Sequence, residues 1–183
     1  MKLTVGSIAP QFSTEDIFGN PLSLEDYAGQ ALLLSFFRNG ACAICNLQVH
    51  KLIQKYPEYH EHGLEIIAVF ESPRESVLAN VQKQDVPFTL IADPDARLYK
   101  LYGVENSEEK VMASPNPERR NRIIEEAAAI GYQLIKEDGQ NFFRMPADFL
   151  IGPDQHIQTA FYSEDIGEHI SFETIEHFLR QFA

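Results

Sequence analysis

Apolar residues fall along the chain in two textures. Unbroken runs at Ala31 to Phe37 (ALLLSFF) and Leu64 to Phe70 (LEIIAVF), with a third, short one at Phe88 to Ile91, have the length of buried strands. Between them, apolar residues recur at helical spacing. Cys45, Val49, Leu52, Ile53 and Tyr56 stand at i, i+4, i+7, i+8 and i+11, one face of a helix that begins near Cys42 and that Pro57 should end or interrupt. Pro73 suits the first turn of a second helix, Arg74 to Gln84, and Asp93 to Tyr102 reads as a third that stops at Gly103. The order β-α-β-α-β-α predicts an α/β layered fold with several parallel strands.

Outside this core the pattern changes twice. Gly6, Pro10, Gly19, Asn20 and Pro21 divide the first thirty residues into short strands and turns around Phe12 and Phe18, with one helical turn at Leu24 to Tyr27. From about 104 to 142 the alternation pauses in a polar insertion. There Ser114-Pro115-Asn116-Pro117 signals a helix start, with Asn116 as the cap and Pro117 in the first position. Ile123, Ala127, Ile130 and Leu134 would be its buried stripe, and Gly131 a point where it splits. Regular structure then resumes with strands at Ala147 to Ile151 and Ile157 to Tyr162, joined by a hairpin connection over Gly152 to His156. Ser171 caps a last amphipathic helix, with Phe172, Ile175, Phe178, Leu179 and Phe182 on one face. The expectation is one domain over residues 1–183, with an insertion at about 104–142.

Composition narrows the partners. A chain of 183 residues with 44% hydrophobic and 23% charged residues can bury a sizeable core. Its 15 basic and 27 acidic residues leave a formal charge of −12, which argues against nucleic acid and anionic membrane surfaces. No apolar run approaches the ~20 residues of a membrane span. The opening MKLTVGSIAP has neither the apolar centre nor the cleavage site of a signal peptide. A cytoplasmic location, with no membrane partner, is the expectation.

The chemistry concentrates at two residues. Cys42 and Cys45 are the only cysteines, and they form a C-x-x-C directly after a buried strand and at a helix start. Unpaired N–H groups of a first helical turn and the helix dipole favour a thiolate there. The spacing lets the second sulfur close a disulfide on the first, as an attacking and a resolving thiol would. In a reducing compartment such a pair is more often catalytic, redox-sensing or metal-binding than structural. Zinc would need four ligands, of which this motif supplies two, and His50, His60 and His62 match no usual spacing, so neither a metal nor another cofactor is expected. Arg38, four residues before Cys42, would either tune a thiol or bind substrate, or else stand as a solvated loop charge. His50 reads as a helix-surface histidine. Arg119, Arg120 and Arg122 read as a solvated helix face, and the acidic stretch Ser163 to His169 as a cap for the final helix.

A family resemblance rests on longer stretches. Gly6-Ser-Ile-Ala-Pro10-Gln-Phe12, then Asp16 and Gly19, is similar to the opening of peroxiredoxins of the alkyl hydroperoxide reductase/thiol-specific antioxidant family. Ile66 to Val104 resembles the strand-helix core of the same family, most specifically at Phe88 to Asp93 and at Leu101-Tyr102-Gly103-Val104. The resemblance implies a thioredoxin-like, peroxiredoxin-type fold: a central mixed sheet flanked by helices, with an N-terminal extension and the helical insertion. It also implies a cis-proline facing the redox site, for which Pro146 is the candidate, with Met145 beside the cysteines.

The resemblance leaves the reaction open. The family pattern Pro-x-x-x-Thr-x-x-Cys places its peroxidatic cysteine on Cys45, its threonine on Cys42 and its proline on Arg38. A second family arginine falls on Pro146, with Arg144 as a substitute nearby. Aligning Phe37 with the active-site strand of thioredoxins makes Cys42 the nucleophile instead. With no third cysteine, the oxidised state is a Cys42–Cys45 disulfide, an intermolecular bond or a mixed disulfide, the first being the expected form. A thiol-dependent antioxidant oxidoreductase acting on peroxides or disulfides is the leading expectation, regenerated by a thioredoxin or glutathione-type reductant. A disulfide oxidoreductase without peroxidase activity, or a non-catalytic binding module of the same fold, are the alternatives. By analogy with peroxiredoxins, a homodimer is the expected association.

Overall fold

The computed structural model describes residues 1–183 apart from 114, 134, 136–138, 140 and 183. Ser114 and Leu134, which the sequence places at the start and on the stripe of the insertion helix, lie outside the described residues.

Five strands form the central sheet: β3 (Ala31–Phe36), β4 (Leu64–Phe70), β5 (Thr89–Ala92), β6 (Ala147–Ile151) and β7 (Ile157–Tyr162), in the order β5-β4-β3-β6-β7. A separate antiparallel pair near the N-terminus, β1 (Ser13–Glu15) and β2 (Pro21–Ser23), precedes them. β3 is parallel to β4, Ala31 against Leu64 through Phe36 against Val69, and β4 is parallel to β5. β6 and β7 complete the sheet as antiparallel strands. All six residues of β3 are buried, as its unbroken apolar run requires of a central strand covered on both faces.

Alternation along β3 divides the core in two. Ala31, Leu33 and Phe37 pack with residues of α1 (Ala43–Glu61) and α6 (Phe172–Leu179), whereas Leu32, Leu34 and Phe36 pack with Leu98 and Tyr99 of α3 (Arg97–Leu101), Tyr102 and Phe12. The result is helix, sheet and helix in three layers. Among the described residues no helix is long and apolar enough to cross a membrane.

Several elements differ from their sequence reading. α1 runs through Pro57 to Glu61, because the turn beyond the proline buries Tyr59 completely against the core. That burial offsets the ~3 kcal/mol which an interior proline costs. The second helix stops at Asn80 (α2, Arg74–Asn80) and continues only as a 3-10 turn at Gln82–Gln84, which ends on Asp85 in the left-handed region, φ 56°. α3 starts at Arg97 and not at Asp93, because the Asp93 carboxylate caps it by accepting the N–H groups of Arg97 (3.0 Å) and Leu98 (2.8 Å).

The insertion holds a short helix that the sequence pattern did not reveal, α4 (Glu108–Met112), and α5 (Pro117–Ala129), capped by Asn116 Oδ1 accepting Arg119 N–H at 3.0 Å. Ala127 is fully buried against Ala43 and Leu47 of α1, but Ile130 lies past the helix end and is exposed. The arginines of α5 are not all solvated. Arg120 forms an ion pair with Asp165 at 2.8 Å, and Arg119 donates to Gly167 O at 3.2 Å, so the acidic stretch 163–167 receives the insertion while Ser171 caps α6.

Pro146 is not cis; no described peptide bond is. The chain enters β6 from an extended stretch that pairs with residues 105–107: Ser107 N–H donates to Phe143 O (2.9 Å) and Met145 N–H to Glu105 O (3.1 Å). That pairing runs on directly into β6 without a turn at Pro146, so the lower-energy trans bond serves.

Candidate active site

The carboxyl ends of β3 and β4 lie side by side, and their ladder continues beyond both strands. Phe37 N–H donates to Val69 O at 2.9 Å, and Glu71 N–H to Arg38 O at 3.1 Å. Open α/β sheets form their ligand crevices at this end. From β3 the chain turns through Gly40, whose N–H donates to Ser72 Oγ at 2.9 Å. A Cβ at residue 40 would stand 2.9 Å from Ser76 Oγ and 3.2 Å from the Ser76 carbonyl, so the turn needs glycine. Asn46 braces it from α1, donating to Gly40 O (2.8 Å) and Cys42 O (3.1 Å).

This turn delivers Cys42 to the N-cap of α1. Its Sγ accepts the backbone N–H of Cys45 at 3.3 Å, the role that a serine or aspartate oxygen usually plays. The Cys42 pKa falls to about 6. A hydrogen bond from the Cys45 thiol is the main cause, acting against burial and joined by the Arg38 charge and the N–H groups of Cys45 and Ile44. Cys45 moves the other way. Burial pushes its thiol well above the ordinary range, and donating to Cys42 beside its negative charge adds to the effect. One sulfur is thus held as a thiolate and the other as a thiol. Cys42 is 6% exposed and Cys45 2%.

Arg38 is buried and is not a solvated loop charge. Its Nη1 lies 4.0 Å from Cys42 Sγ. Nε donates to Arg144 O at 3.1 Å, Nη2 donates to Phe142 O, and the guanidinium stands 5.1 Å from the centre of the Phe142 ring. The Arg144 side chain bonds Glu71, Nε to Oε2 at 2.5 Å, and Val104 O at 2.8 Å. Met145 is buried in the same apolar cluster as both cysteines. Pro146 is buried too, and its carbonyl accepts the Ser163 N–H at 3.2 Å. His50 takes no part; it bonds Gln54 on α1 at 3.1 Å. Among the described residues no group of three or more His, Cys, Asp or Glu side chains is arranged to hold a metal ion.

Sequence reasoning passed over Asn46, Glu71, Ser72 and Phe142. Asn46 carried a signal, a polar residue one position after Cys45 on the stretch of α1 nearest the motif. Glu71 and Ser72 carried another, since they follow β4 at the carboxyl end of a parallel strand. Phe142 carried none, because only the tertiary fold brings it across 104 residues to Arg38.

The sequence profile of the AhpC/TSA family matches residues 5–160, most of the chain. The protein belongs to the AhpC/TSA family. Among curated relatives, this family member is 32% identical over 104 residues to the thiol-disulfide oxidoreductase ResA of Bacillus thuringiensis subsp. konkukian, which covers 56% of the chain and 60% of that protein. It is 28% identical over 102 residues to peroxiredoxin Bcp of Escherichia coli K12, covering 56% of the chain and 65% of Bcp. The match thus spans about three fifths of the length of these relatives. Over nearly the whole chain the structure resembles peroxidoxin BcpB of Mycobacterium tuberculosis, with a TM-score of 0.70, 98% and 97% of the two chains covered and 14% identity. At that identity the likeness establishes the fold alone, which is thioredoxin-like.

Proposed function

We propose that the protein is a dithiol oxidoreductase in which Cys42 attacks, Cys45 resolves and the oxidant is a disulfide. The observation that carries this is the split of the pair at the start of α1: a Cys42 sulfur at pKa about 6 beside a Cys45 thiol held protonated. The Cys42 thiolate attacks one sulfur of a substrate disulfide, forming a Cys42–substrate disulfide and expelling the other sulfur as a thiolate. Cys45 then loses its proton, attacks Cys42 Sγ and releases the second substrate sulfur. The proton goes to the departing thiolate, and the Cys42–Cys45 disulfide carries away the oxidation. A thioredoxin or glutathione-type reductant would return the dithiol.

Two features favour a disulfide over a peroxide as oxidant. In the peroxiredoxin register the attacking sulfur is Cys45, which is the protonated one, and the proline and threonine positions hold Arg38 and Cys42. The ResA alignment, to a protein named as a thiol-disulfide oxidoreductase, points the same way. A second reading rests on enclosure. With Cys42 only 6% exposed, a small hydroperoxide has easier access than a folded protein. There the Cys42 thiolate would take the distal OH, breaking the O–O bond and expelling an alkoxide or hydroxide that takes a proton from solvent, and the Cys45 thiol would then displace water from the sulfenic acid.

Stopped-flow thiol loss with one equivalent of hydrogen peroxide, against one equivalent of oxidised glutathione, decides between them. Fast disulfide exchange, with peroxide no faster than at a free thiol, supports the proposal. With Cys45→Ser, the mixed disulfide should accumulate on Cys42. Rapid peroxide consumption with slow exchange would select the second reading.

A further inference from the structure

Glu71 is a partly buried carboxylate that the thiol chemistry does not itself use. Its side chain is 11% exposed and is held by two neighbours. Oε2 accepts Arg144 Nε at 2.5 Å and Oε1 accepts Arg144 Nη2 at 3.3 Å. Asn141 Nδ2 donates to both oxygens, at 3.0 and 3.2 Å. Residues 141 and 144 bracket the stretch whose Phe142 and Arg144 carbonyls hold the Arg38 guanidinium. The backbone N–H of Glu71 also holds Arg38 O. One residue therefore fixes Arg38 from both ends: its main chain directly, and its side chain through the 141–144 segment.

We propose that Glu71 is a positioning residue for the Cys42 thiolate, acting through Arg144 and Asn141 to keep the Arg38 guanidinium beside Cys42 Sγ. The inference rests on the reading of Cys42 as the attacking thiol. The groups acting on Cys42 are Cys45, Arg38 and the Ile44 N–H, whereas Glu71, Asp93, Arg144 and Cys45 act on the buried Tyr99 hydroxyl. The sign of the effect separates positioning from simple field effects. Taking a negative charge away from the neighbourhood of a thiol would, through space, lower its pKa. Losing the positive charge that Glu71 holds in place raises it.

The test is the thiolate absorbance of the reduced protein at 240 nm between pH 4 and 8, for wild type, Glu71→Gln, Arg38→Met and the double variant. Glu71→Gln should raise the Cys42 midpoint by about one pH unit, or roughly tenfold less thiolate below the midpoint. The double variant should titrate like Arg38→Met alone, since Glu71 has nothing left to position. An unshifted or lowered midpoint in Glu71→Gln, or effects that add in the double variant, would overturn the proposal. Should Glu71→Gln fail to fold, Asn141→Ala at a partly buried site decides: a smaller upward shift supports the proposal and no shift overturns it. A wild-type protein with no midpoint below 8 would overturn the nucleophile assignment and this proposal together. A normal wild type beside an unshifted variant would overturn this proposal alone.

Discussion

At the scale of single residues, the site works by making two identical side chains unlike. Cys42 caps a helix and receives N–H groups, a thiol and a guanidinium, while at Cys45, three residues on, burial and the negative charge of its neighbour outweigh the Arg38 charge and backbone N–H. The motif and its place after a buried strand were readable from the sequence, but the direction of the asymmetry was not. It is set mainly by the Cys45 thiol donating to Cys42 and by the burial of Cys45, joined by the charge of Arg38, which carbonyls at residues 142 and 144, more than a hundred positions away, hold in place. Arg38→Met should slow alkylation of Cys42 by iodoacetamide at pH 6.5 by about tenfold, the loss of one close opposite charge. Arg38→Lys should recover only part of the rate, since an ammonium cannot bond both carbonyls with a planar fork and still face the sulfur. Equal rates in all three proteins would show that the guanidinium does not tune the thiol.

At the scale of elements, the strands were the most legible parts. β6 and β7 end where the apolar pattern ends, and β3 is the continuous run it was read to be, because a central strand must be apolar on both faces. Helix ends were less readable, since they are settled by tertiary contacts: Tyr59 draws α1 past Pro57, and the Asp93 carboxylate delays the start of α3. Pro146 shows the limit of arguing by resemblance, as a strap paired with residues 105–107 leaves no turn there for a cis bond to serve. The β3–α1 turn at Gly40 is packed closely against Ser76 in the first turn of α2. Gly40→Ala should destabilise the protein by ~1–3 kcal/mol, the usual cost of forcing a methyl into a closed contact. It should also raise the Cys42 midpoint by tilting the start of α1. An unchanged urea midpoint would show that Ser76 yields freely.

At the scale of the whole molecule, an AhpC/TSA family frame carries its two cysteines in a C-x-x-C at the start of α1. The insertion packs Ala127 against α1 and is pinned to the 163–167 stretch by Arg119 and Arg120, contacts that its helical stripe did not announce. Among the described residues the cation beside the thiols is Arg38, and it is buried. This frame presents Cys42 as a thiolate and keeps Cys45 as a thiol. Mass-spectrometric mapping of iodoacetamide labelling on the reduced protein, as a function of pH, tests it most directly. Because an acid with a lowered pKa loses its proton early, Cys42 labelling should rise through a midpoint near 6 and level off by neutral pH, with Cys45 unlabelled over that range. Labelling that begins at Cys45, or a midpoint for Cys42 at the ordinary thiol value of about 8.5, would contradict it.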